Sequence, residues 1–253
     1  MRRFGQLPDS SQTFDSPASA WRGGITEAIG APALVLGASY LGFGSFVHQS
    51  GIGVDFALAS TFSAWALPGQ VALLQVYGAG ASLAAMFMAV ALANLRFLPM
   101  TVAFLPILAM PKRPAWRVYA AAMLVAVTAW AVGMLRCPQL PREQRAPYFV
   151  GFGLTLWLAS LAGTALGYWL STVVPLSIAL GLAFLNPVYF LLMFVADLRQ
   201  RGRALALLIG GVGGLLIDYV SPIWGMLIVG LAGGTAAYLA DALLPKRWWP
   251  VRV

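Results

Sequence analysis

The sequence predicts an all-α integral membrane protein with seven or eight apolar segments, some of them discontinuous or re-entrant. Three observations favour this fold class. Hydrophobic residues make up 60% of the 253 residues and charged residues only 9%, whereas soluble domains average about 25% charged residues. Apolar stretches follow one another from residue 28 to residue 242, and about 20 apolar residues suffice to cross a bilayer as a helix. Proline, glycine, asparagine and glutamine interrupt the longest stretches.

Two polar segments flank the apolar region. Residues 1–26 are mostly polar and predict a cytosolic tail. Residues 245–253 place Lys246 and Arg247 beside two tryptophans, a combination typical of a segment anchored at the membrane interface. We therefore expect residues 27–244 to form a single polytopic transmembrane domain.

The apolar stretches alternate with short polar or basic loops. In order they cover about residues 28–47, 56–77, 81–98, 118–135, 148–170, 175–196, 204–220 and 222–240, with a short apolar piece at 102–110. The positive-inside rule places both termini and the basic loops 111–117 and 199–203 in the cytoplasm. One crossing per stretch does not satisfy this arrangement. At least one stretch must therefore be re-entrant or consist of two half-spans.

Two internal patterns bear on how these segments pack. Residues 44–68 align without gaps with residues 163–187, and both segments run from a glycine to a proline. Few identities lie between these points, so the alignment indicates either a degenerate two-part repeat or a chance similarity. Glycines four residues apart, at Gly163 and Gly167, predict close contact between helices.

Three interruptions of the apolar pattern are the candidate helix breaks. They contain a proline, and the residues that build them are Pro68, Gly69, Pro99 and Pro187. Proline removes a backbone donor and leaves a carbonyl free, so a polar side chain beside it can line a site in apolar surroundings.

Polar residues next to these breaks are the candidate substrate ligands: Gln70, Asn94, Arg96 and Asn186. We expect Gln70 and Asn186 to bind the amino and carboxylate groups of an amino acid near the midplane. Arg96 would pair with the carboxylate or hold a gate. Ordinary packing also explains these residues, as a kinked helix whose Gln70 bonds a neighbour, or as an Arg96 that reaches the membrane interface. Candidate apolar residues to shelter a substrate side chain are Trp65, Trp157 and Phe184.

The sequence argues against an enzyme, a metal protein and a nucleic-acid-binding protein. It contains one histidine, one cysteine and eight acidic residues, without a metal-ligand cluster, a nucleotide-binding motif or a nucleophile motif. We therefore predict no cofactor. The net charge of +8 comes from short basic tracts between apolar stretches, which is typical of topology signals and contact with lipid headgroups.

Several short motifs occur in an order typical of one family of membrane proteins. They are a first span with Pro32 and a Gly42-Phe43-Gly44 exit, the segment from Ser63 to Gln70, the triplet Asn94-Leu95-Arg96, and a second-half pattern from Tyr148 to Pro187. Over about residues 24–234 they resemble the AzlC-type branched-chain amino-acid permease family. The resemblance implies export of branched-chain or similar amino acids, often with a small multi-span AzlD-type membrane subunit.

The chain departs from the family pattern at three positions. Phe97 replaces the histidine usual after the Asn-Leu-Arg triplet, and Ala183 stands where an aspartate is common. Pro68 enters a segment usually built from small residues. Because these changes remove a titratable ring and a carboxylate, we expect proton coupling or substrate preference to differ from the family norm.

Residues and resemblance together predict a multi-pass secondary transporter of the cell inner membrane with a cytoplasmic N-terminus. It would export branched-chain or similar amino acids, driven by the proton gradient, and its partners would be the substrate, the lipid bilayer and a small AzlD-type subunit. Two other interpretations remain open. A channel or passive pore for small solutes would show a filter of matching charges or carbonyls, and no filter-like repeat is visible. A scaffold or assembly protein would need no polar group at the midplane.

Overall fold

The structure is a computed structural model of the chain, and it describes residues 14–110, 114–173, 175–196, 201–220 and 232–243. The regular structure of these residues is entirely helical, without a β-strand. Their α-helices are, in chain order, α1 (Pro17–Ala28), α2 (Ala31–Gln49), α3 (Val54–Ser63), α4 (Leu67–Gly78), α5 (Leu83–Asn94), α6 (Phe97–Phe104), α7 (Ala115–Met123), α8 (Val127–Arg136), α9 (Arg142–Trp169), α10 (Leu176–Ala196), α11 (Arg201–Val220) and α12 (Gly234–Leu243). Short 3₁₀ turns follow α6 and α8, at Leu105–Leu108 and Cys137–Gln139. The prediction of an all-α fold is confirmed for this part of the chain.

Two helices, α2 and α9, are each long and apolar enough to cross a membrane alone. Two further spans exist if each bent pair is counted as one: α5 with α6, bent by 41°, and α7 with α8, bent by 111°. The described residues thus contain two to four candidate spans, and the expected seven or eight are not confirmed. Part of the difference arises because several apolar stretches are divided into short helices, and most of the stretch at 222–240 lies outside the described residues. The stretch at 56–77, for example, contains α3 with 10 residues and α4 with 12, each below the length of about 20 residues that a span requires.

The packing of unit 1, residues Met1–Asn186, is organised around α9. This helix of 28 residues makes its most extensive contacts with α2 and α1. Glycines allow the close approach, because a Cβ added at Gly163 would overlap with the backbone of Gly37, and one at Gly167 with the backbone of Leu41. Since 37 faces 163 and 41 faces 167, α2 and α9 run in the same direction.

Unit 2, residues Pro187–Val253, is a second compact unit. Among its described helices, α11 packs against α12. The predicted single domain over 27–244 therefore contains two compact units.

Residues 14–26 differ from the expected polar tail. α1 begins at Pro17 behind a capping box, in which the Ser16 hydroxyl accepts the Ser19 N–H and the Ser19 hydroxyl accepts the Ser16 N–H. Ala20 and Gly24 are buried, and a Cβ at Gly24 would overlap with the Tyr148 carbonyl of α9. Ala20 and Gly24 thus form a small-residue surface that packs against α9. The prediction of a tail followed the mostly polar composition of the segment and not this spacing. Residues 1–13 and the predicted interface anchor at 245–253 lie outside the described residues.

One helix continues where a break was expected. α10 is helical from Leu176 to Ala196, across Asn186 and Pro187. α9 likewise continues through Pro147. A proline removes one backbone hydrogen bond of a helix, and this loss alone does not end the helix when neighbouring segments support it. The helix break predicted at Pro187 is therefore not present, and α10 is continuous there.

Candidate functional site

The break between α3 and α4 places strained backbone beside α9. α3 ends at Ser63 and α4 begins at Leu67. Trp65, between them, has a φ of +38°, a left-handed conformation that costs a residue other than glycine about 1–3 kcal/mol. Pro68 lies in the first turn of α4, where its fixed φ suits a helix start and its missing N–H is not needed. The chain thus passes from one helix to the next directly before Pro68.

A chain of hydrogen bonds joins α2, α3, α4 and α9 at this break. The Oε1 of Gln70 accepts a hydrogen bond from the Tyr40 hydroxyl at 3.2 Å. Its Nε2 donates to Ser60 Oγ at 3.0 Å and to Thr61 Oγ1 at 3.2 Å. The Thr61 hydroxyl also lies 3.0 Å from the hydroxyl of Thr164 on α9. Gln70 is therefore buried, with partners at both ends of its amide.

Trp65 extends this chain along α9. Its Nε1 donates to Ser160 Oγ at 2.9 Å, and the Ser160 hydroxyl donates to the Leu156 carbonyl at 2.9 Å. The bond to Ser160 holds the buried Trp65 ring and supports its strained backbone. We call the connected residues the polar network: Tyr40, Ser60, Thr61, Trp65, Gln70, Ser160 and Thr164.

Asn94 lies against the start of α4, next to the polar network. Its amide packs on Gly69 so closely that a Cβ at position 69 would overlap with it. The Asn94 Oδ1 is buried and accepts no hydrogen bond from the described residues. An unpaired buried acceptor costs about 1–3 kcal/mol, so a bound donor group would gain by pairing with it. The fold thus places the Asn94 amide against Gly69, the residue that precedes Gln70 in the chain.

A second polar cluster joins α1, α8 and α9. Glu27 and Arg136 form a two-point ion pair, with Nη2 to Oε1 at 2.6 Å and Nε to Oε2 at 3.3 Å. The Tyr148 hydroxyl donates to Glu27 Oε2 at 2.6 Å. The Arg136 side chain is 8% exposed and that of Glu27 17%. Both carboxylate oxygens therefore have partners in a largely buried setting.

The remaining polar candidates lie apart from the polar network. Arg96 is exposed at the joint between α5 and α6, and its guanidinium lies 5.4 Å from the centre of the Phe97 ring. Pro99 is in the first turn of α6. Asn186 belongs to the continuous α10, and its side chain lies outside what the structure describes.

The three apolar candidates have different surroundings. Trp65 is buried in the polar network. Trp157 on α9 is partly buried, donates from Nε1 to the Phe62 carbonyl at 3.3 Å and has its ring 4.8 Å from the Phe62 ring. Phe184 is 65% exposed on α10, so it contributes to no buried pocket within the described residues.

A groove of about 1080 Å³ opens elsewhere in the fold. The start of α9, with Arg142 and Arg145, forms one wall, and apolar residues including Val102 and Leu105 form the other. None of the predicted substrate ligands lines it. Arg145 bonds the backbone there, donating to the Leu140 carbonyl at 2.9 Å and the Ile107 carbonyl at 3.2 Å. No group of histidine, cysteine and acidic side chains suited to a metal ion occurs among the described residues.

Sequence reasoning missed most members of both polar groupings. Tyr40, Thr61 and Thr164 lie singly in apolar helices, where small hydroxyl residues are also common packing residues. Their partners are distant in sequence, such as Thr61 and Thr164, 103 residues apart. Glu27 resembles an interface charge because it immediately precedes the first apolar stretch. The local sequence carries no usable signal for Glu27, because other acids such as Asp55 also lie next to an apolar stretch.

The comparisons with known proteins agree with the resemblance read from the sequence. A model of the AzlC family, described as AzlC protein, matches residues 32–174. The match includes α9, all of α2 except its first residue, the break before Pro68 and the polar network. No curated protein matches the chain, and no solved structure does.

The matched family carries functional information at a coarse level. It is associated with branched-chain amino-acid transport and not with an enzymatic activity. The apolar helices and the family together indicate a membrane protein. Because the family model covers more than half of the sequence, the chain belongs to the AzlC family.

Proposed function

We propose that the protein is a secondary transporter that exports branched-chain or similar small amino acids across the cell inner membrane, driven by the proton gradient. The observation that carries this proposal is the polar network at the break before Pro68. Polar groups inside an apolar bundle are costly, and in transporters they cluster where broken helices bind substrate. The family membership supports an amino acid as the substrate.

Gln70 and Asn94 are the proposed ligands of the amino-acid backbone. A zwitterionic amino acid needs donors for its carboxylate and acceptors for its ammonium group. Gln70 Nε2 and the Tyr40 hydroxyl would donate to the carboxylate, each exchanging a hydrogen bond within the network for one to the substrate. The Asn94 Oδ1, which is unpaired among described residues, would accept from the ammonium group. The two donor groups are therefore paired in both the empty and the occupied site, while Asn94 Oδ1 gains a donor when substrate binds.

Arg96 and Asn186 have supporting roles in this proposal. Arg96 is exposed at the joint between two helices bent by 41°, a position better suited to a gate than to a ligand of the buried network. The role of Asn186 as a second amide ligand rests on the sequence. An aliphatic substrate side chain would lie against the rings of Trp65 and Trp157, both of which contact the break or its flanks.

We also propose a cytoplasmic N-terminus and a small AzlD-type membrane subunit as partner. The basic tracts of the sequence support the orientation. The family resemblance supports the subunit. In addition, α5 has no buried residue, and Leu83 and Phe87 are 83% and 74% exposed. Such a helix requires lipid or another apolar chain around it.

Efflux of labelled amino acids tests the proposal. Cells that lack their own exporters are loaded with radiolabelled leucine, isoleucine or valine, and efflux is compared with and without this protein. We expect saturable, expression-dependent efflux that stops when a protonophore collapses the gradient. Non-saturable flux would indicate a pore instead. Absence of efflux of all three substrates, with the protein verified in the membrane and a small subunit co-expressed, would contradict the proposal.

A further inference from the structure

Among the acids whose side chains the structure describes, Glu27 is the one that is withdrawn from solvent. Side chains are described for the acids Asp15, Glu27, Asp55 and Glu143. Three of these are exposed, whereas the side chain of Glu27 is 17% exposed. It lies just before the residues that match the AzlC family. A partly buried acid in a membrane protein is expensive, and it commonly marks a pathway for ions or protons.

The partners of Glu27 satisfy both of its carboxylate oxygens. Arg136 occupies both oxygens with charge-assisted hydrogen bonds, and Tyr148 adds a donor to one of them. The three residues come from α8, α9 and α1, so the carboxylate is the point where these helices are tied together. Replacing a buried ion pair by apolar residues is often neutral or stabilising. Stability alone therefore explains this cluster poorly.

Other titratable groups on the packed helices have different partners. On α2, Tyr40 bonds Gln70, and the His48 ring packs on Tyr168 at the opposite end of α9. On α9, Arg145 bonds backbone carbonyls, while Arg142 and Glu143 are exposed. Arg22 on α1 is exposed. The charge and hydrogen bonding of Glu27 thus depend on Arg136 and Tyr148.

The position of the cluster suits an exchange with water. Tyr148 lies six residues into α9, about 9 Å along the helix axis at 1.5 Å per residue. The whole helix of 28 residues is about 42 Å long, longer than the hydrocarbon core of about 30 Å. The cluster therefore lies near the boundary between the headgroups and the hydrocarbon. From there, a modest movement would open Glu27 to one aqueous side.

We propose that Glu27 binds the proton that drives transport. This inference rests on the proposed function. In the observed conformation the carboxylate is paired with Arg136. When a proton from the aqueous phase binds a carboxylate oxygen, Glu27 becomes neutral, the ion pair is lost, and α1 is released from α8 while Arg136 keeps its charge. The rearrangement that follows loss of the pair must then expose Glu27 to the opposite aqueous phase. Release of the same proton there restores the pair, so one proton moves per cycle and nothing else is consumed.

Helix α9 connects the Glu27 cluster with the proposed substrate site. This helix carries Tyr148 of the Glu27 cluster and both Ser160 and Thr164 of the polar network. A change in how α1 is held against α9 therefore acts on the helix that supports the substrate site. No further group is needed to join the two.

Transport in proteoliposomes tests the proposal. We measure leucine accumulation driven by an imposed pH gradient, and leucine–leucine exchange without a gradient, adding the small subunit where the wild type needs it. Glu27→Gln is expected to lose gradient-driven accumulation and to keep measurable exchange, because exchange requires no net proton movement. Glu27→Asp should retain accumulation. The matched control Glu143→Gln, an exposed acid, should behave as the wild type.

The possible failures are distinguishable. Accumulation by Glu27→Gln equal to that of the wild type would overturn the role of Glu27 and leave the proposed function intact. A wild type that neither accumulates nor exchanges leucine would contradict the proposed function instead. Because Glu27→Gln leaves Arg136 unpaired and risks misfolding, the double variant Glu27→Gln with Arg136→Gln is included, and it should fold and lack accumulation.

A second measurement does not depend on the substrate. Infrared difference spectra of the purified protein on acidification should contain a carboxylic-acid band that is absent from Glu27→Gln and present in Glu143→Gln. Absence of a band assigned to Glu27 in the wild type would overturn the proposal even where transport is not detected.

Discussion

Gln70 shows how a single amide connects the fold with the proposed transport site. It accepts from Tyr40 and donates to Ser60 and Thr61, so its two ends join three helices. An amide is suited to this place because it is both donor and acceptor without a charge. The same property lets it exchange one partner for a substrate group. A charged side chain in this place would have needed a counter-ion.

Gln70→Leu is expected to reduce leucine efflux by about tenfold or more. The substitution removes a proposed substrate ligand. It also leaves buried hydroxyls with fewer hydrogen-bond partners, at a cost of about 1–3 kcal/mol. Efflux is measured at equal amounts of protein in the membrane. Gln75→Leu is the matched control, because Gln75 lies on the same helix with an exposed side chain, and it should leave efflux unchanged. Normal efflux by Gln70→Leu would exclude Gln70 as a substrate ligand.

At the scale of single residues, the sequence identified polar candidates only where a proline interrupts an apolar stretch beside them. Gln70 and Asn94 both lie near prolines, and in the fold the Asn94 amide packs against Gly69, the residue that precedes Gln70. Glu27 and Arg136, 109 residues apart, have no such marker. A pair of this kind is recognisable only when the helices that carry its members are placed in contact. The basic tract around Arg136 looked like a topology signal alone.

At the scale of elements, the α2–α9 contact carries the site. α2 contributes Tyr40, and α9 contributes Ser160 and Thr164. Their backbones approach at Gly163, where an added Cβ would overlap with the Gly37 carbonyl. Small residues drive such packing in lipid, because apolar side chains gain nothing by leaving lipid for another helix.

Gly163→Ala is expected to lower stability by about 1–3 kcal/mol, because the added methyl group overpacks a backbone contact. The measurement is the midpoint of thermal unfolding in detergent, followed by tryptophan fluorescence. Gly181→Ala on α10 is the control, since an added Cβ there meets open space, and it should leave the midpoint unchanged or raise it slightly. Equal midpoints for Gly163→Ala and the wild type would contradict the close approach of α2 and α9.

Helix breaks were predictable only where proline and geometry coincide. Pro68 lies in the first turn of a new helix, whereas Pro187 lies inside a continuous one. The break between α7 and α8, at residues 124–126, contains neither proline nor glycine. The local sequence therefore does not predict this break, and the sharp bend there depends on tertiary contacts. Apolar stretches set where helices form, but not where they turn.

For the whole molecule, the bend of 111° between α7 and α8 bears on topology. Arg145, at the start of α9, bonds the carbonyls of Ile107 and Pro138. The 3₁₀ turns that follow α6 and α8 therefore meet at the start of α9, and the first of them precedes α7 by six residues. A bent pair that begins and ends at one face is re-entrant. This would place the basic tracts on either side of it on one face of the membrane, as the positive-inside rule favours.

Cysteine labelling tests this topology. Arg117→Cys and Arg142→Cys, both at exposed positions, should react with a membrane-impermeant maleimide only in inside-out vesicles, because both lie on the proposed cytoplasmic face. Ser50→Cys should react only in right-side-out vesicles. Ser50 follows α2, whose His48 packs on Tyr168 at the far end of α9. The buried native Cys137 is replaced by serine to remove background. If position 117 reacts from the same face as position 50, then α7 and α8 cross the membrane and the re-entrant arrangement is wrong.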